Sequence, residues 1–241
     1  MKRLNGRPLA ALLAVLLMLS AFLSACSQEE AADGQEAAPA GTKKLLLLKK
    51  KEGSGDPVLI SHLEKLGYLV MDMSENEFTA QAAKDYAVIY VSDSVNASRL
   101  DGGLKNASAG IVYAKAQLAE TAGLAGPLSY GHQQGTAVQI KDAKHPLAAG
   151  LSGEPAVYKA AGSMGYAAPG KEAAVIAAAP GDEKKAFVFA YEKGAKDAGG
   201  QTLPGRRVFF YMPTGEETNQ SEQGWKLLDA AIAWAAQTPK S

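Results

Sequence analysis

The chain has 241 residues, of which 47% are hydrophobic and 21% charged, with 25 basic and 25 acidic side chains. This composition is typical of a globular protein and excludes collagen, a coiled coil, a disulfide-rich scaffold and wholesale disorder. The first 25 residues hold Lys2, Arg3 and Arg7, so their removal leaves 22 basic against 25 acidic side chains. Because phosphate binding needs clustered Lys and Arg, no nucleic-acid partner is expected.

The N-terminus has the pattern of an export signal. Residues 1–7 carry three positive charges and residues 9–19 form an unbroken apolar run, which is the order found in secretory signal peptides. Eleven apolar residues are too few to span a bilayer. The run leads into Leu-Ser-Ala-Cys at residues 23–26, which resembles the lipobox of bacterial lipoproteins, with the only Cys of the chain at the position that the motif requires.

This resemblance implies cleavage after Ala25 and lipidation of Cys26. More than one acyl chain would hold the protein stably on the extracytoplasmic face of the cell membrane. The alternative is a simple secretion signal followed by an incidental Cys. With Cys26 lipidated, the remaining chain has no thiol for a disulfide, a nucleophile or a thiolate metal site.

The composition also predicts the domain organisation. Residues 26–42 are small, polar and acidic, and they contain no large apolar side chain, which is typical of a flexible tether. We therefore predict a lipoprotein signal peptide over residues 1–25, a tether over 26–42 and a single domain over 43–238.

The first part of this domain alternates short apolar runs with helical patterns, which predicts an α/β domain with a mainly parallel sheet. The best-marked helix has Asp56 as N-cap and Pro57 as its first residue, presents Leu59, Ile60, Leu63 and Leu66 on one face, and ends at Gly67. Strands are predicted at residues 45–48, 68–73, 87–91 and 110–113, a short helix at 80–85, and a helical stretch at 114–122.

The pattern changes after about residue 130, where no long helix separates the apolar runs. Turn-forming segments between the runs predict antiparallel pairing, so the sheet is expected to be mixed. The runs are residues 137–140, 156–158, 173–178, 186–191 and 207–212. A final helix over about 220–237 is predicted, with Asn219 and Glu222 as a capping box and with Trp225 and Trp234 flanking its apolar face.

Several short motifs of this second part occur together in one order. They are His145-Pro146-Leu147 with Gly150-Leu151, the run Phe-Val-Phe-Ala-Tyr-Glu-Lys-Gly at 187–194, Arg-Arg-Val-Phe-Phe at 206–210, and Gly-Trp-Lys-Leu-Leu-Asp-Ala-Ala at 224–231. With the first two strands and the helix between them, they resemble the class I glutamine-amidotransferase-like domains of secreted multidomain bacterial proteins. More distantly, they are similar to the trehalose-utilisation-like family. The resemblance implies an α/β, flavodoxin-like three-layer sandwich with a mixed, mainly parallel sheet.

The resemblance also bears on activity. Active amidotransferases use a Cys nucleophile at a strand-to-helix elbow and a His that activates it. Here the elbow falls at Tyr113-Ala114-Lys115-Ala116, and the strand near Met212 continues as Pro213-Thr214-Gly215-Glu216. Neither segment holds a Cys or a His. The resemblance therefore implies a binding or assembly role without the catalytic residues of the superfamily.

Candidate binding residues follow from position. Ligands of open α/β sheets bind beyond the carboxyl ends of the strands, which selects residues 52–56, 92–94, 113–115 and 214–217. The candidate ligand rim consists of Ser92, Asp93, Ser94, Lys115 and Glu216. Hydroxyls, carboxylates and one Lys suit a polar ligand such as a sugar. The alternative is that they are solvated loop residues that form turns and caps.

Two other chemistries are disfavoured. The segment 51–56 joins a strand to a helix, but it lacks the Gly-Lys-Ser/Thr ending of a P-loop, and Asp56 would repel a phosphate. Nucleotide binding is therefore not expected. The adjacent Glu216 and Glu217 point in different directions, so they do not form a glycosidase pair and are predicted to lie in a solvated turn.

The three histidines are scattered and lack the spacing of a zinc site, so no metal and no cofactor are expected. His62 is predicted to be an exposed helix residue and His145 a turn or helix-start residue. His132 is placed in a loop over 129–135 and is the one histidine with possible functional interest.

The preferred hypothesis is a membrane-anchored extracytoplasmic lipoprotein whose non-catalytic amidotransferase-like domain acts in ligand binding or envelope assembly. Its expected partners are the membrane, through the lipid anchor, and a carbohydrate or an envelope protein. The alternative is a hydrolase acting on carbohydrate or cell-wall material, which would be favoured by His132 or another His within hydrogen-bond reach of Ser92, Ser94 or a carboxylate inside a pocket at this edge of the sheet. A solute-binding lipoprotein is a third possibility, although it would normally need two lobes.

Overall fold

The computed structural model describes residues 43–50, 57–100 and 103–237. The predicted signal peptide, the lipidation site Cys26, the tether and the 51–56 loop with its proposed N-cap Asp56 lie outside the described residues. Within the described part, no helix is both long enough and apolar enough to cross a membrane.

Ten strands form one mixed sheet in the described residues. They are β1 Lys43–Lys49, β2 Tyr68–Ser74, β3 Val88–Val91, β4 Gly110–Tyr113, β5 Ala125–Gly135, β6 Gln139–Ile140, β7 Gly162–Pro169, β8 Ala174–Ala179, β9 Asp182–Tyr191 and β10 Arg207–Phe210. The main order is β2-β1-β3-β4-β10-β9-β7-β5, and β8 joins β6 to β9. The first five strands of this order are parallel, and the other pairs are antiparallel.

Helices cover both faces of the sheet. The α-helices of the described part are α1 Pro57–Lys65, α2 Ala116–Thr121 and α3 Glu222–Ala235. Leu63 of α1 and Leu228 of α3 belong to one hydrophobic core, and Leu118 of α2 belongs to the other. This arrangement confirms the predicted α/β, flavodoxin-like sandwich with a mixed sheet.

The central parallel strands are buried on both sides. In β1, Leu45 and Leu47 point into the core beneath α1 and α3, whereas Leu46 and Leu48 point into the opposite core. All residues of β3, β4 and β10 are buried as well. A continuous apolar run is what a strand covered on both faces requires, so these strands lie close to their predicted positions.

Helix α3 begins later than predicted. The hydroxyl of Ser221 accepts a hydrogen bond from the Gly224 amide at 3.1 Å and caps the helix. The predicted capping box of Asn219 and Glu222 is therefore wrong. Residues Glu217–Asn219 form a 3-10 turn, and the Asn219 side chain instead bonds the backbone of Ala160 through both its oxygen and its nitrogen.

Other local predictions need correction. Strands β5 and β7 were not predicted, and the expected loop at 129–135 is part of β5. β5 is half exposed and contains Gly, Ser and Gln, so it has no apolar run to signal it. Residues 156–158 make only isolated bridges, the helix predicted at 80–85 is the 3-10 turn Ala82–Asp85, and Leu66 is 42% exposed rather than buried.

Candidate functional site

The carboxyl ends of the parallel strands bring four loops together at one edge of the sheet. The Ser92 hydroxyl, just after β3, lies 2.9 Å from the Ser94 hydroxyl and 3.0 Å from the Thr214 hydroxyl in the loop after β10. The Lys50 amide, directly after β1, donates to the Ser94 hydroxyl at 3.3 Å. Hydroxyl side chains therefore link the loops that follow three different strands.

Lys115 connects the β4 end to the same loop. Its ammonium group donates to the Asp93 carbonyl at 2.7 Å and lies 3.5 Å from the Asp93 carboxylate. Both side chains are about one fifth exposed, Lys115 at 21% and Asp93 at 24%. The predicted rim residues Ser92, Asp93, Ser94 and Lys115 thus lie together at this edge of the sheet.

A polar pocket of about 390 Å³ opens beside these residues. We call it the edge pocket. Its polar lining residues are Lys50, Glu75, Ser94, Asn96, Arg99, Lys115 and Gln117.

The Glu75 carboxylate is fully buried in the edge pocket wall, where it accepts from the Asn96 amide at 2.5 Å and from the Arg99 guanidinium at 3.5 Å. Arg99 also donates to the Asn76 side chain at 3.2 Å. Among the described residues, Lys50 makes no ion pair, so its charge is not neutralised within this part of the protein.

Five polar residues of the edge pocket were missed by sequence reasoning, namely Lys50, Glu75, Asn96, Arg99 and Gln117. Glu75 follows β2 directly, so the rule that selected the other loops would have found it if it had been applied to β2 as well. Arg99 lies eight residues beyond the end of β3 in a 3-10 turn, and no sequence signal places it there. Asn96 caps that turn by accepting from the Ser98 amide.

Glu216 does not line the edge pocket, although it was predicted as part of the rim. One of its carboxylate oxygens accepts from the Ser163 amide at 2.8 Å, and the other accepts from the Asn219 side chain at 2.8 Å. The neighbouring Glu217 is 4% exposed rather than solvated, and it accepts from the Gly215 amide at 2.6 Å. Glu216 joins the loop after β10 to β7, whereas Glu217 bonds within that loop, so the two carboxylates have different partners and are not paired for catalysis.

The histidines lie away from the Ser92 hydroxyl cluster. His132 is exposed on β5 opposite Gly165, not in a loop. His145 starts the 3-10 turn Pro146–Ala148 and its Nδ1 accepts from the Leu147 amide, which confirms its predicted role at a helix start. Burial lowers the pKa of His145, a shift that the nearby Asp142 opposes.

His62 is not the exposed helix residue that was expected. Its side chain is 23% exposed, its Nε2 lies 2.6 Å from the Asp229 carboxylate, and its ring stacks on Trp225 with centroids 4.0 Å apart. It joins α1 to α3. No histidine of the described ranges is hydrogen-bonded to Ser92 or Ser94, and those ranges contain no group of three or more potential ligands placed to hold a metal ion.

The turn from β4 into α2 has an ordinary backbone. Lys115 is extended, with φ −94° and ψ 119°, and α2 begins at the next residue. A nucleophile elbow would instead be a sharp, strained strand-to-helix turn that exposes a reactive side chain. The turn here carries alanines and a Lys whose amine is bonded to Asp93.

Solved structures share this fold. A protein described as belonging to a GMP synthase of Thermoplasma acidophilum superposes with a TM-score of 0.52 at 11% identity, over 80% of this chain and 94% of its own. The domain has the fold of the class I glutamine amidotransferases. No family model matches the sequence, and no curated protein is significantly similar to it.

Two structures from Thermotoga maritima support the same fold. A glutamine amidotransferase superposes with a TM-score of 0.51 at 10% identity, over 81% of this chain and 99% of its own. The PurLQS structure gives a TM-score of 0.51 at 10% identity, over 80% of this chain and 99% of that one. At such low identity the likeness concerns the fold alone and transfers no activity.

Proposed function

We propose that this protein is a lipid-anchored extracytoplasmic lipoprotein whose amidotransferase-like domain binds a polar ligand at the envelope without hydrolysing glutamine. The observation that carries the non-catalytic part is the turn after β4. It holds Ala114 and Lys115 where a nucleophile would stand, and the Lys115 amine is engaged by Asp93. The loop after β10 presents Thr214 and no His.

The chemistry of the edge pocket supports binding of a hydroxyl-rich ligand that carries a negative group. Ser94 and Asn96 supply neutral polar groups. Lys50 supplies a cation outside any ion pair of the described residues, whereas Arg99 and Lys115 are already paired with Glu75 and Asp93. Charged hydrogen bonds of this kind are stronger than neutral ones. Carbohydrates and cell-wall fragments with acidic substituents have this combination of groups.

A thermal-shift screen of sugars and cell-wall fragments would test the proposed binding, because a ligand that binds only the native state raises the unfolding midpoint. Lys50→Met should weaken the response, since the substitution removes a cation that is free of ion pairs within the described residues. Lys65→Met is the matched control, because Lys65 lies at the end of α1 and does not line the edge pocket. The proposal is contradicted if no sugar or cell-wall fragment raises the unfolding midpoint. It is also contradicted if Lys50→Met and Lys65→Met show equal shifts of the midpoint.

Chemical turnover is tested on the same samples. We expect no ammonia release from glutamine and no change in any bound fragment. If a fragment is cleaved, the hydrolase alternative replaces the non-catalytic one. Loss of cleavage in Ser92→Ala would then assign the reaction to this edge of the sheet.

The proposed anchor rests on the sequence pattern at residues 23–26. Metabolic labelling with a fatty acid should mark the full chain and should fail for Cys26→Ser, while Ser27→Ala keeps the label. Recovery of an unlabelled, unprocessed chain from the cell interior would refute the anchor and leave the ligand proposal to be judged separately.

A further inference from the structure

Strand β5 is the last strand in the main order of the sheet, and among the described residues only β7 pairs with it. The regular pairing covers residues 130–135, after a bulge that separates this segment from Ala125. The other long side of β5 therefore has no neighbouring strand within the described part of the chain. A free strand edge presents unpaired N–H and C=O groups that can pair with a further strand.

Three residues of β5 direct their backbone groups to this free side. The Gly165 amide of β7 donates to the Tyr211 carbonyl at 2.7 Å, so Gly165 directs its backbone groups away from β5. Gly165 lies opposite His132, and opposed residues of antiparallel strands alternate between hydrogen-bonded and non-hydrogen-bonded pairs. His132 is thus in a non-hydrogen-bonded pair and directs its N–H and C=O outward, as do Tyr130 and Gln134. We call these outward groups of the three residues the β5 edge.

No charged side chain protects the β5 edge. Residues 125–135 contain no Asp, Glu, Lys or Arg, and both His132 and Gln134 are exposed. Proteins usually prevent pairing at a free edge with charged side chains, Pro or bulges. In β5 the bulge and Pro127 precede residues 130–135 and do not interrupt them. At the other end of the sheet, by contrast, β2 carries Asp72, whose side chain is 55% exposed.

The β5 edge is complementary to itself. When two copies are related by a two-fold axis at His132, the two His132 residues lie opposite each other, and each Tyr130 lies opposite the partner's Gln134. All three residues then form hydrogen-bonded pairs, with two bonds in each pair. Because residues 125–135 have no Asp, Glu, Lys or Arg, this pairing brings no such like charges together. The symmetry of the three residues about His132 favours a second copy over a strand of unrelated sequence.

An exposed apolar side chain lies at the end of this segment. Leu128, in the bulge, is 89% exposed and has a φ of 52°, a conformation that is costly for a residue other than glycine. The Glu120 carboxylate accepts from the Leu128 amide at 3.1 Å, and the Ser129 hydroxyl donates to the Gly126 carbonyl at 2.5 Å, which holds the turn. The fold therefore presents Leu128 outward, where a partner chain on the β5 edge can cover it.

We propose that two copies of this chain associate through the β5 edge, antiparallel and about a two-fold axis at His132, so that the two sheets become continuous. The paired segment is short, and small interfaces are typical of weak, transient association. The proposal depends neither on the polar ligand nor on the lipid anchor, because the β5 edge shares no residue with the edge pocket or with residues 23–26.

Disulfide cross-linking of the full chain in detergent tests the register. Cys26→Ser removes the only thiol, and His132→Cys then introduces a single thiol at the proposed axis. Opposed residues of a hydrogen-bonded pair have Cα atoms about 5.5 Å apart, which suits a disulfide. Mild oxidation should link at least about tenfold more of this chain than of the matched Gln134→Cys chain. Gln134 is also exposed on the β5 edge, but it does not lie opposite its own copy.

Sedimentation of the full chain with Cys26→Ser, in detergent and from about 10 µM to 1 mM, measures the association itself. We expect a dimer for this parent and a monomer for His132→Lys, because like charges directly opposite each other are destabilising. Gln201→Lys adds the same charge at an exposed residue outside β5 and should remain dimeric. His132→Lys should unfold at the same temperature as Gln201→Lys, since both side chains are exposed.

Three results would each overturn the proposal. They are a parent that stays monomeric at every concentration, equal cross-linking of the two cysteine variants, and a dimer that survives His132→Lys.

Discussion

The two halves of the sheet are built from different kinds of sequence. The parallel half, β2-β1-β3-β4-β10, has central strands that are apolar at nearly every position because helices or loops cover both faces. In the antiparallel half, β5 to β9, the outer strands differ: β5 has one buried residue, Ala125, and β7 mixes buried with partly exposed residues, whereas β8 and β9 still carry continuous buried runs. Double-sided burial demands a continuous apolar run, whereas a half-exposed strand is held by pairing with its neighbours.

The halves also differ in what they place at the sheet edge. Parallel strands all end on one side, so the loops after β1, β2, β3 and β4 converge and form the edge pocket. Antiparallel strands end on alternate sides and disperse their loops. This geometry explains why the polar residues Glu75, Ser94 and Lys115 gather in one place.

The largest predicted effect is at Arg207 in the parallel half. Arg207→Met removes the donors to the carbonyls of Ala107 and Ala109, which are 2.5 and 2.9 Å from the guanidinium. Leaving these buried acceptors unpaired should lower the free energy of unfolding by about 4 kcal/mol. Urea unfolding measures this loss, and Lys193→Met, an exposed change nearby, should cost little. A loss below about 1 kcal/mol would show that water or rearranged donors satisfy the carbonyls.

Gly110 should be the next most sensitive position. It begins β4, and a Cβ there would overlap the Ala235 carbonyl of α3, a backbone atom that cannot move aside alone. Gly110→Ala should therefore cost about 3 kcal/mol in urea unfolding. Gly126→Ala is the control in the antiparallel half, since the nearest atom to its Cβ would be the Ser129 hydroxyl oxygen at 3.9 Å. Equal losses at the two sites would refute the contrast in packing between the halves.

Alkaline pH should weaken the antiparallel half through Tyr191 of β9. Its hydroxyl donates to the Leu124 carbonyl at 2.7 Å, and burial raises the pKa of Tyr191 to about 12 from 10.0. Because the folded state holds the proton more tightly, this stabilisation is complete below pH 10 and is lost as the pH rises toward 12. The loss should be on the order of 2 kcal/mol.

Urea unfolding at intervals from pH 9 to about 12 measures this loss. Tyr191→Phe should make the decline shallower over the same interval by the share of one tyrosine. The rest of the slope remains in that variant, because burial also raises the pKa values of Tyr68, Tyr86, Tyr113, Tyr158 and Tyr211. A decline of the same steepness in Tyr191→Phe would assign the effect to other groups.

The smallest predicted effect is at the edge of the parallel half. Lys49 of β1 and Asp72 of β2 form an ion pair at 2.5 Å, and the Asp72 side chain is 55% exposed. The hydrogen bond from Lys49 lowers the pKa of Asp72. Asp72→Asn should nevertheless change the free energy of unfolding by no more than about 0.5 kcal/mol, because solvent screens such pairs.

Measurement of Asp72→Asn in low and high salt tests this reasoning, since salt should remove the small difference. A loss of several kcal/mol that persists in salt would mean that a substitution at the edge of the parallel half costs as much free energy of unfolding as one at its centre. The difference between the parallel and antiparallel halves would then depend on strand direction and not on how deeply the residues are buried.

Tertiary structure decided the features that depend on residues distant in the chain. β5 and β7 exist because they pair with each other and β7 with β9. Arg99 meets Glu75 and Asn76, 24 and 23 residues earlier, in the edge pocket region. Arg207 lies in an apolar run, yet its guanidinium finds carbonyls about 100 residues away. No local pattern encodes such contacts.

The sequence by itself determined the strands of the parallel half, the strands β8 and β9, the helices α1 and α3, and the absence of Cys and His from residues 113–116 and 212–216. It also placed Ser92, Ser94 and Lys115 at the correct edge, because parallel strands bring their carboxyl ends together. These features follow from residue type and local periodicity. The strands β5 and β7 with their pairings, and the edge pocket wall, arise only from packing, since their free energy comes from contacts made when the chain is folded.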